Sequence, residues 1–319
     1  MNNIYIILHN NNNKNLCYKL KERVFLKIVN KNCIIENNIC YNNNSRYYFL
    51  KKKYNIETLQ KLKNDNNYLI YEPLDIDWDK YTNFDEYYNN NLVYFNLFDE
   101  IICNNILMSE KMKELGYNNK ISINYHEYDE KYKSTNKIDD NVLYIGRLDK
   151  SSFTENDIIT YNINHITNFS EINKDIAIHI DYLINNNLYY TLHTSTKLST
   201  ALYLNCIFIC NRIPIYVELL GEDYEFYIND DLSNILNVIN NAKEVLNNKD
   251  LYNNYIDKYT KIRNKLSPNA IAKNYNNILN NKIDIIEHKE EKNKNNNNIV
   301  NKSFITNKLF INKKKLFKK

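Results

Sequence analysis

The feature that most constrains the fold is the alternation of short β-branched runs with longer segments of helical period. The runs are bounded by polar residues and are apolar on both faces, which is typical of strands in parallel sheets covered by helices. Residues 106–115 are predicted to form one of the intervening helices, with Asn104 or Asn105 as its cap and Gly116 at its exit. The alternation therefore predicts an α/β fold. The predicted strands are 4–8, 68–71, 100–103, 121–123, 142–145, 176–180 and 207–210.

The length of 319 residues exceeds that of one average domain, so two compact lobes are expected. Polar residues interrupt the apolar pattern over 131–140, which places the predicted boundary there. The predicted divisions are a first lobe at 1–132, a second lobe at 133–280 and a disordered Asn/Lys-rich tail at 281–319. Pro268 is expected to end one helix or begin another near the end of the second lobe.

The positive charge of the chain is concentrated in the tail. Residues 281–319 contain 11 lysines and four acidic residues, whereas the remaining residues carry 31 basic and 34 acidic side chains. The tail is interpreted as a solvated terminus, with weak contact to an anionic membrane or to nucleic acid as the alternative. The near-neutral body has no recognised nucleic-acid motif, so no specific nucleic-acid partner is expected.

The six cysteines are scattered without zinc-ligand spacing, and we interpret them as reduced and structural. The first residues lack the basic start and long apolar stretch of a signal peptide. Apolar windows of the length needed to span a membrane are likewise missing from the sequence. These features predict a soluble, intracellular, cytoplasmic protein.

Six segments follow one another along the chain: FDEIICNN at 98–105, KISINYHEYD at 120–129, VLYIGRL at 142–148, HTSTKLSTAL at 193–202, CIFIC at 206–210 and ELLGEDYEFY at 218–227. Their order resembles that of the GT-B glycosyltransferases, with a C-terminal donor domain similar to that of the group 1 glycosyl transferases. The resemblance covers roughly residues 99–279. It departs from the family in two places: the usual Gly-rich loop after the first strand is replaced by His9 and asparagines, and two glutamates eight positions apart are not found.

The resemblance implies two Rossmann-like lobes separated by a central cleft. It also implies a metal-independent, hexosyltransferase-like enzyme that moves a sugar from a nucleotide-sugar donor to a hydroxyl acceptor, in glycan or protein glycosylation. The nucleoside-diphosphate sugar is then a substrate, and no separate cofactor is expected.

Five residues are candidates for binding the donor diphosphate. Ser195, Thr196 and Lys197 lie where a helix is expected to begin, and a helix N-terminus favours anions. Lys197 is expected to offset the charge that develops on the leaving nucleotide. Gly146 permits close backbone approach after a buried strand, and Arg147 can bind phosphate through two parallel hydrogen bonds. The alternatives are a capped surface helix with a solvated lysine, and a turn with an exposed arginine.

Further candidates follow from the same motif order. Arg212 is a second cation candidate because it follows a strand at the carboxyl end of the sheet. Glu218, and less favourably Glu222, are candidates for accepting hydrogen bonds from the ribose hydroxyls, although acids on a short helix commonly face solvent.

Two residues are candidates for catalysis. His126 lies at the predicted cleft and is interpreted as a general base or a sugar contact, with a structural hydrogen bond as the alternative. Asp75 is a candidate acceptor-side base, with an acidic loop as the alternative. The other histidines lack ligand spacing, so no metal site is predicted. A non-catalytic binding or scaffold protein with a decayed cleft is the competing function.

Overall fold

The computed structural model describes residues 3–7, 24, 25, 27, 33–36, 39–50, 54–74, 81–130, 139–167, 176–184 and 191–280. The chain divides into the compact units Met1–Leu279 and Asn280–Lys319. The first of these units holds the elements described below. Asp75, most of the predicted boundary at 131–140 and the predicted tail at 281–319 lie outside the described residues.

The first lobe is built on a six-stranded sheet in which every described pairing is parallel. Its order is β2-β1-β3-β4-β5-β6. Side chains of successive strand residues point to opposite faces, so β1 contributes Tyr5 and Ile7 to one core and Ile4 and Ile6 to another. The strands are β1 Ile4–Ile7, β2 Cys33–Glu36, β3 Arg46–Leu50, β4 Tyr68–Glu72, β5 Glu100–Cys103 and β6 Lys120–Ile123.

Three helices in the first lobe connect its later strands: α1 Ile56–Asn64, α2 Phe84–Phe95 and α3 Ile106–Glu114. The cap of α3 is Asn105, whose Oδ1 accepts a hydrogen bond from the backbone N–H of Met108 at 2.8 Å. Gly116 follows the helix with a φ of 94°. The helix predicted at 106–115 is therefore confirmed, together with its cap and its glycine exit.

The second lobe contains a parallel sheet of order β11-β10-β9-β7-β8. A single apolar core packs around it. The strands are β7 Asp139–Ile145, β8 Ile163–Ile166, β9 Ile176–Asp181, β10 Ile207–Asn211 and β11 Tyr227–Ile228. The α-helices are α4 Glu155–Thr160, α5 Thr196–Tyr203, α6 Pro214–Leu220, α7 Ile235–Asn247 and α8 Lys249–Lys265. A short 3-10 helix spans Leu148–Lys150.

The last helix, α9 Pro268–Asn280, packs on the first lobe. Ile271, Tyr275 and Ile278 share a buried core with Ile4 and Ile6 of β1. The chain thus passes from the second sheet back to the core of the first. The lobe limits at 132 and 280 remain a prediction.

The predicted α/β architecture of two lobes with parallel sheets and covering helices is confirmed. Within the described residues, no helix is both long and apolar enough to cross a membrane.

Candidate functional site

The candidate site lies where the strand order of the second sheet reverses. From β7 the chain proceeds to β8 on one side, and it then returns to β9 on the other side of β7. Ligands of parallel α/β sheets bind at the carboxyl ends of the strands beside such a reversal. In this lobe the two strand ends concerned carry Gly146, directly after β7, and Asp181, the last residue of β9.

Lys197, in the first turn of α5, connects these two strands. Its Nζ donates to Asp181 Oδ1 at 2.5 Å and to the Tyr144 hydroxyl at 3.2 Å. It also lies 4.4 Å from the centroid of the Tyr144 ring. Burial by itself lowers the pKa of Lys197, but the charge of Asp181 and the contact with Tyr144 outweigh burial and raise the pKa above its usual range. Lys197 is therefore a charged lysine fixed at the reversal point.

Asp181 collects further donors from outside its own strand. The Tyr216 hydroxyl of α6 donates to Asp181 Oδ2 at 2.6 Å, and His193 Nε2 lies 3.4 Å from the same oxygen. His193 Nε2 and the Tyr216 hydroxyl are 3.1 Å apart. Burial raises the pKa of Asp181, yet Lys197 and His193 outweigh burial and hold the pKa well below its usual range. Asp181 is therefore an ionised carboxylate, buried among its donors.

Gly146 lies directly against the Lys197 ammonium. Its φ of 138° is a conformation that residues with a side chain rarely adopt. A Cβ at this position would be 3.2 Å from the Tyr144 hydroxyl and 3.6 Å from Lys197 Nζ. The carbonyl oxygen of Gly146 is 2.7 Å from His165 Nε2. The structure thus brings together two of the sequence-predicted donor residues, Gly146 and Lys197.

Arg147, the residue after Gly146, forms an ion pair of its own. Its guanidinium forms a two-pronged ion pair with Asp149, and the side chain is 67% exposed. Exposed pairs of this kind contribute about 0–1 kcal/mol to stability.

The N-terminus of α5 is occupied by the chain segment that follows β6. Ser195 Oγ accepts from the His126 N–H and donates to the His126 carbonyl oxygen, both at 3.0 Å. Thr196 Oγ1 lies 3.2 Å from His126 Nδ1. His126 is only 1% exposed. The hydroxyls predicted to bind phosphate therefore contact the histidine predicted to act in catalysis.

Glu218 bridges the two lobes. Its Oε2 accepts from the backbone N–H of Ile106, at the N-terminus of α3, at 2.9 Å. Its Oε1 accepts from the hydroxyl of Tyr125, the residue before His126. A carboxylate at a helix N-terminus is favourable for both the free N–H groups and the helix dipole. The residue predicted to bind ribose thus caps a helix of the other lobe in this structure.

Arg212 and Glu222 form a separate, exposed pair. Arg212 donates to the carbonyl oxygen of Glu222 at 2.7 Å and lies 3.2 Å from its carboxylate. The Arg212 guanidinium also lies 4.5 Å from the centroid of the Tyr227 ring. The remaining candidate, Asp75, lies outside the described residues.

Sequence reasoning missed Asp181, Tyr144, Tyr216 and His193 as members of the site. The one available signal was position, because Asp181 ends an apolar strand run at the edge where such sheets bind ligands. Among the residues that the structure describes, no group of three or more histidine, cysteine, aspartate or glutamate side chains is arranged to hold a metal ion. Metal independence remains a prediction.

Sequence comparison identifies no relatives: no protein-family model matches the chain, and no curated protein sequence matches it. Solved structures do match. A glycosyltransferase from Rickettsia africae ESF-5 aligns with a TM-score of 0.53 and 12% identity over 88% of this chain and 84% of that one. The pneumococcal O-GlcNAc transferase GtfA, in complex with UDP and GlcNAc, aligns with a TM-score of 0.50 and 9% identity over 82% of this chain and 59% of that one.

A GtfA/B complex aligns with a TM-score of 0.48 and 8% identity, covering 74% of this chain and 57% of that chain. The present chain thus spans less than two thirds of the length of both Gtf structures. The likeness to the Rickettsia and pneumococcal proteins shows that this chain has the GT-B fold.

Proposed function

We propose that this chain is a glycosyltransferase that takes a sugar from a nucleoside-diphosphate donor and passes it to a hydroxyl acceptor. The observation that carries the proposal is the charged Lys197 held against Gly146, at the strand-order reversal of the second lobe of a GT-B fold. The complex of one structural neighbour with UDP and GlcNAc supports the donor class.

In this proposal the chain supplies positive charge to the donor through its own side chains. Lys197 binds the diphosphate and stabilises the leaving nucleotide, where the negative charge develops. Arg147 moves from its weak pair with Asp149 to a phosphate oxygen, since an exposed ion pair costs little to break. Arg212 is a further cation, and no metal ion is required.

Several of the remaining candidates take part in contacts that must open before they can bind substrate. Glu218 and Glu222 bind the ribose hydroxyls, which for Glu218 requires release of Ile106 and Tyr125. Ser195 and Thr196 contact the phosphates, and His126 acts on the acceptor or the transferred sugar. Asp75 is the alternative acceptor-side base. Opening of the His126 contacts with Ser195 and Thr196 exposes these groups to substrate.

The second candidate function is a non-catalytic GT-B-like binding or scaffold protein. The observation that favours it is the burial of His126, with its contacts to Ser195 and Thr196. A protein of this kind binds a nucleotide or a glycan without transferring sugar.

The decisive experiment incubates the full chain with a panel of UDP-, GDP-, ADP- and dTDP-sugars. Binding is measured by thermal shift, and transfer or hydrolysis by release of the nucleoside diphosphate. A ligand at 100 times its Kd stabilises the folded chain by about 2.7 kcal/mol, which raises the melting temperature by several degrees. Stabilisation together with release supports the enzyme, and stabilisation without release supports the scaffold. If no member of the panel binds or reacts, the transferase and a nucleotide-binding scaffold are both rejected for these donors.

Lys197→Ala tests the site itself, and Lys258→Ala is its matched control. Lys258 is an exposed lysine of the same lobe, paired with Glu225 at 2.9 Å. We expect Lys197→Ala to weaken nucleoside-diphosphate binding at least tenfold and Lys258→Ala to leave it unchanged, as measured by calorimetry. If the two variants bind the nucleoside diphosphate with equal affinity, Lys197 does not take part in the donor site.

A further inference from the structure

The buried Asp181 carboxylate is the centre of the Lys197 network. Its side chain is 2% exposed, so it is shielded from solvent and from a ligand in the cleft. Three elements supply its donors: α5 through Lys197, α6 through Tyr216, and the segment before α5 through His193. A carboxylate with donors on every side acts on a substrate only through the groups that it holds.

The negative charge of Asp181 balances the positive charge of Lys197. The groups that face the ammonium are Asp181 and His179 from β9, Tyr144 from β7, and, through Asp181, Tyr216 and His193. Burial and the nearby Lys197 charge lower the pKa of His179 to about 3, so this histidine is neutral. Asp181 is therefore the one negative charge among the described groups that face Lys197. A buried lysine without such a partner tends to lose its proton.

Among the groups that the structure describes, two accept hydrogen bonds from the Lys197 ammonium. A lysine ammonium has three N–H donors, and two of them bind Asp181 and the Tyr144 hydroxyl. Gly146 has no side chain, and the position of its absent Cβ is 3.6 Å from Lys197 Nζ. The two acceptors thus fix the rotation of the ammonium beside the open glycine backbone.

We propose that Asp181 is the positioning residue of the donor site: it keeps Lys197 charged and, together with Tyr144, aims its third N–H at the diphosphate beside Gly146. This inference rests on the proposed function, and it assigns to Asp181 a role that acts entirely through Lys197. Removal of the carboxylate therefore makes recognition of a diphosphate depend on pH.

The test measures UDP and GDP binding by calorimetry from pH 7 to 9.5 for the full chain and for Asp181→Asn. This window lies above the range in which free histidines and terminal phosphates titrate. In the unchanged chain Lys197 stays protonated throughout, so the affinity is constant. In Asp181→Asn the free lysine loses its proton within the window while the bound diphosphate favours the protonated form. Affinity then falls as pH rises, approaching tenfold per pH unit above the lowered pKa.

Two further variants distinguish the loss of the Asp181 charge from general damage to the fold. Asp140→Asn removes the acidic partner of Lys243 at an exposed pair of the same lobe, and its binding should stay constant with pH. The double variant Asp181→Asn/Lys197→Met removes both buried charges and should bind weakly at every pH. If the single variant fails to fold, Tyr144→Phe tests the orientation of Lys197. It removes the second acceptor, together with the hydrogen bond from this hydroxyl to the Arg147 carbonyl oxygen, and should weaken binding several-fold without pH dependence.

The outcomes distinguish this inference from the proposed function. If the unchanged chain binds no nucleoside diphosphate at any pH, the proposed function fails and Asp181 has no donor to position. If the chain binds and Asp181→Asn binds with the same pH-independent affinity, the role of Asp181 is overturned while the proposed function stands. If Tyr144→Phe binds the nucleoside diphosphate with unchanged affinity, the role of Tyr144 in orienting Lys197 is overturned.

Discussion

At the scale of single residues, Gly146 has two separate reasons to be glycine. Its φ of 138° excludes most side chains, and a Cβ would be 3.2 Å from the Tyr144 hydroxyl. Gly221 has a φ of 89° but no neighbouring atom within 4 Å of a Cβ. The comparison of these two glycines separates backbone strain from crowding.

We expect Gly221→Ala to lower the free energy of unfolding by about 1–3 kcal/mol through strain alone, because its φ of 89° and ψ of 164° suit glycine almost exclusively. Gly146→Ala should cost about 1 kcal/mol more, because the added methyl group displaces Tyr144 or Lys197. It should also weaken UDP binding. Urea denaturation and calorimetry check both effects. Equal destabilisation by the two variants would contradict the crowding at Gly146.

The cysteines give a second prediction at this scale. Burial raises the pKa of the Cys206 thiol to about 12 and raises that of Cys210 well above its usual range, whereas Cys40 is exposed. Since the thiolate is the reactive form, maleimide at pH 7.5 should label Cys40 quickly and leave Cys206 and Cys210 unlabelled in the folded protein. Peptide mass spectrometry measures this, and rapid labelling of Cys206 before unfolding would contradict its placement in the core.

The sequence predicts the positions of individual site residues better than their partners. The strand-end position of Gly146 and the helix-start position of Lys197 are visible as motifs, and the two residues do meet. The partners of Lys197 are not visible. Tyr144 is 53 residues away in sequence and Asp181 is 16 residues away, and only the strand order brings them together.

At the scale of elements, Glu218 joins the short helix α6 to the first lobe. Its carboxylate caps α3 and accepts from Tyr125, while Glu222, four residues later, is 76% exposed and paired with Arg212. We expect Glu218→Ala to lower the free energy of unfolding by about 1–3 kcal/mol, because a charged hydrogen-bond partner is lost. Glu222→Ala should change it by less than about 0.5 kcal/mol. Urea denaturation that gives equal losses would show that Glu218 does not join the lobes.

The seven predicted strands are all present, but the prediction missed β2, β3, β8 and β11. Of these, β3 has the tyrosine-rich sequence RYYFL. Tyr47 and Tyr48 are fully buried there because their hydroxyls find acceptors: the Cys40 carbonyl oxygen for Tyr47, and the Glu72 carboxylate for Tyr48. A tyrosine with a hydrogen-bonded hydroxyl serves as a core residue. The acceptor of each hydroxyl is known only from the fold. The sequence pattern alone therefore does not distinguish buried from exposed tyrosines in a chain that contains 29 of them.

At the scale of the whole molecule, the return of α9 to the first lobe is the feature least visible in the sequence. Helical period identifies the apolar face of this helix, but it does not tell which sheet that face covers. The helix follows the second sheet in sequence and packs on the core of the first. Its C-terminal end is held there as well, since Arg46 of β3 donates to the Leu279 carbonyl oxygen at 2.9 Å.

This packing predicts that substitutions in α9 destabilise strands more than 200 residues away in the chain. Ile271→Ala and Tyr275→Ala should each lower the free energy of unfolding by about 2–5 kcal/mol, because each leaves a cavity in the core shared with β1 and β3. Asn277→Ala, on the exposed side of the same helix, should change it by less than about 0.5 kcal/mol. Hydrogen exchange measured by mass spectrometry should show the first loss of protection in β1 and β3, and a loss confined to the strands of the second sheet would contradict the placement of α9.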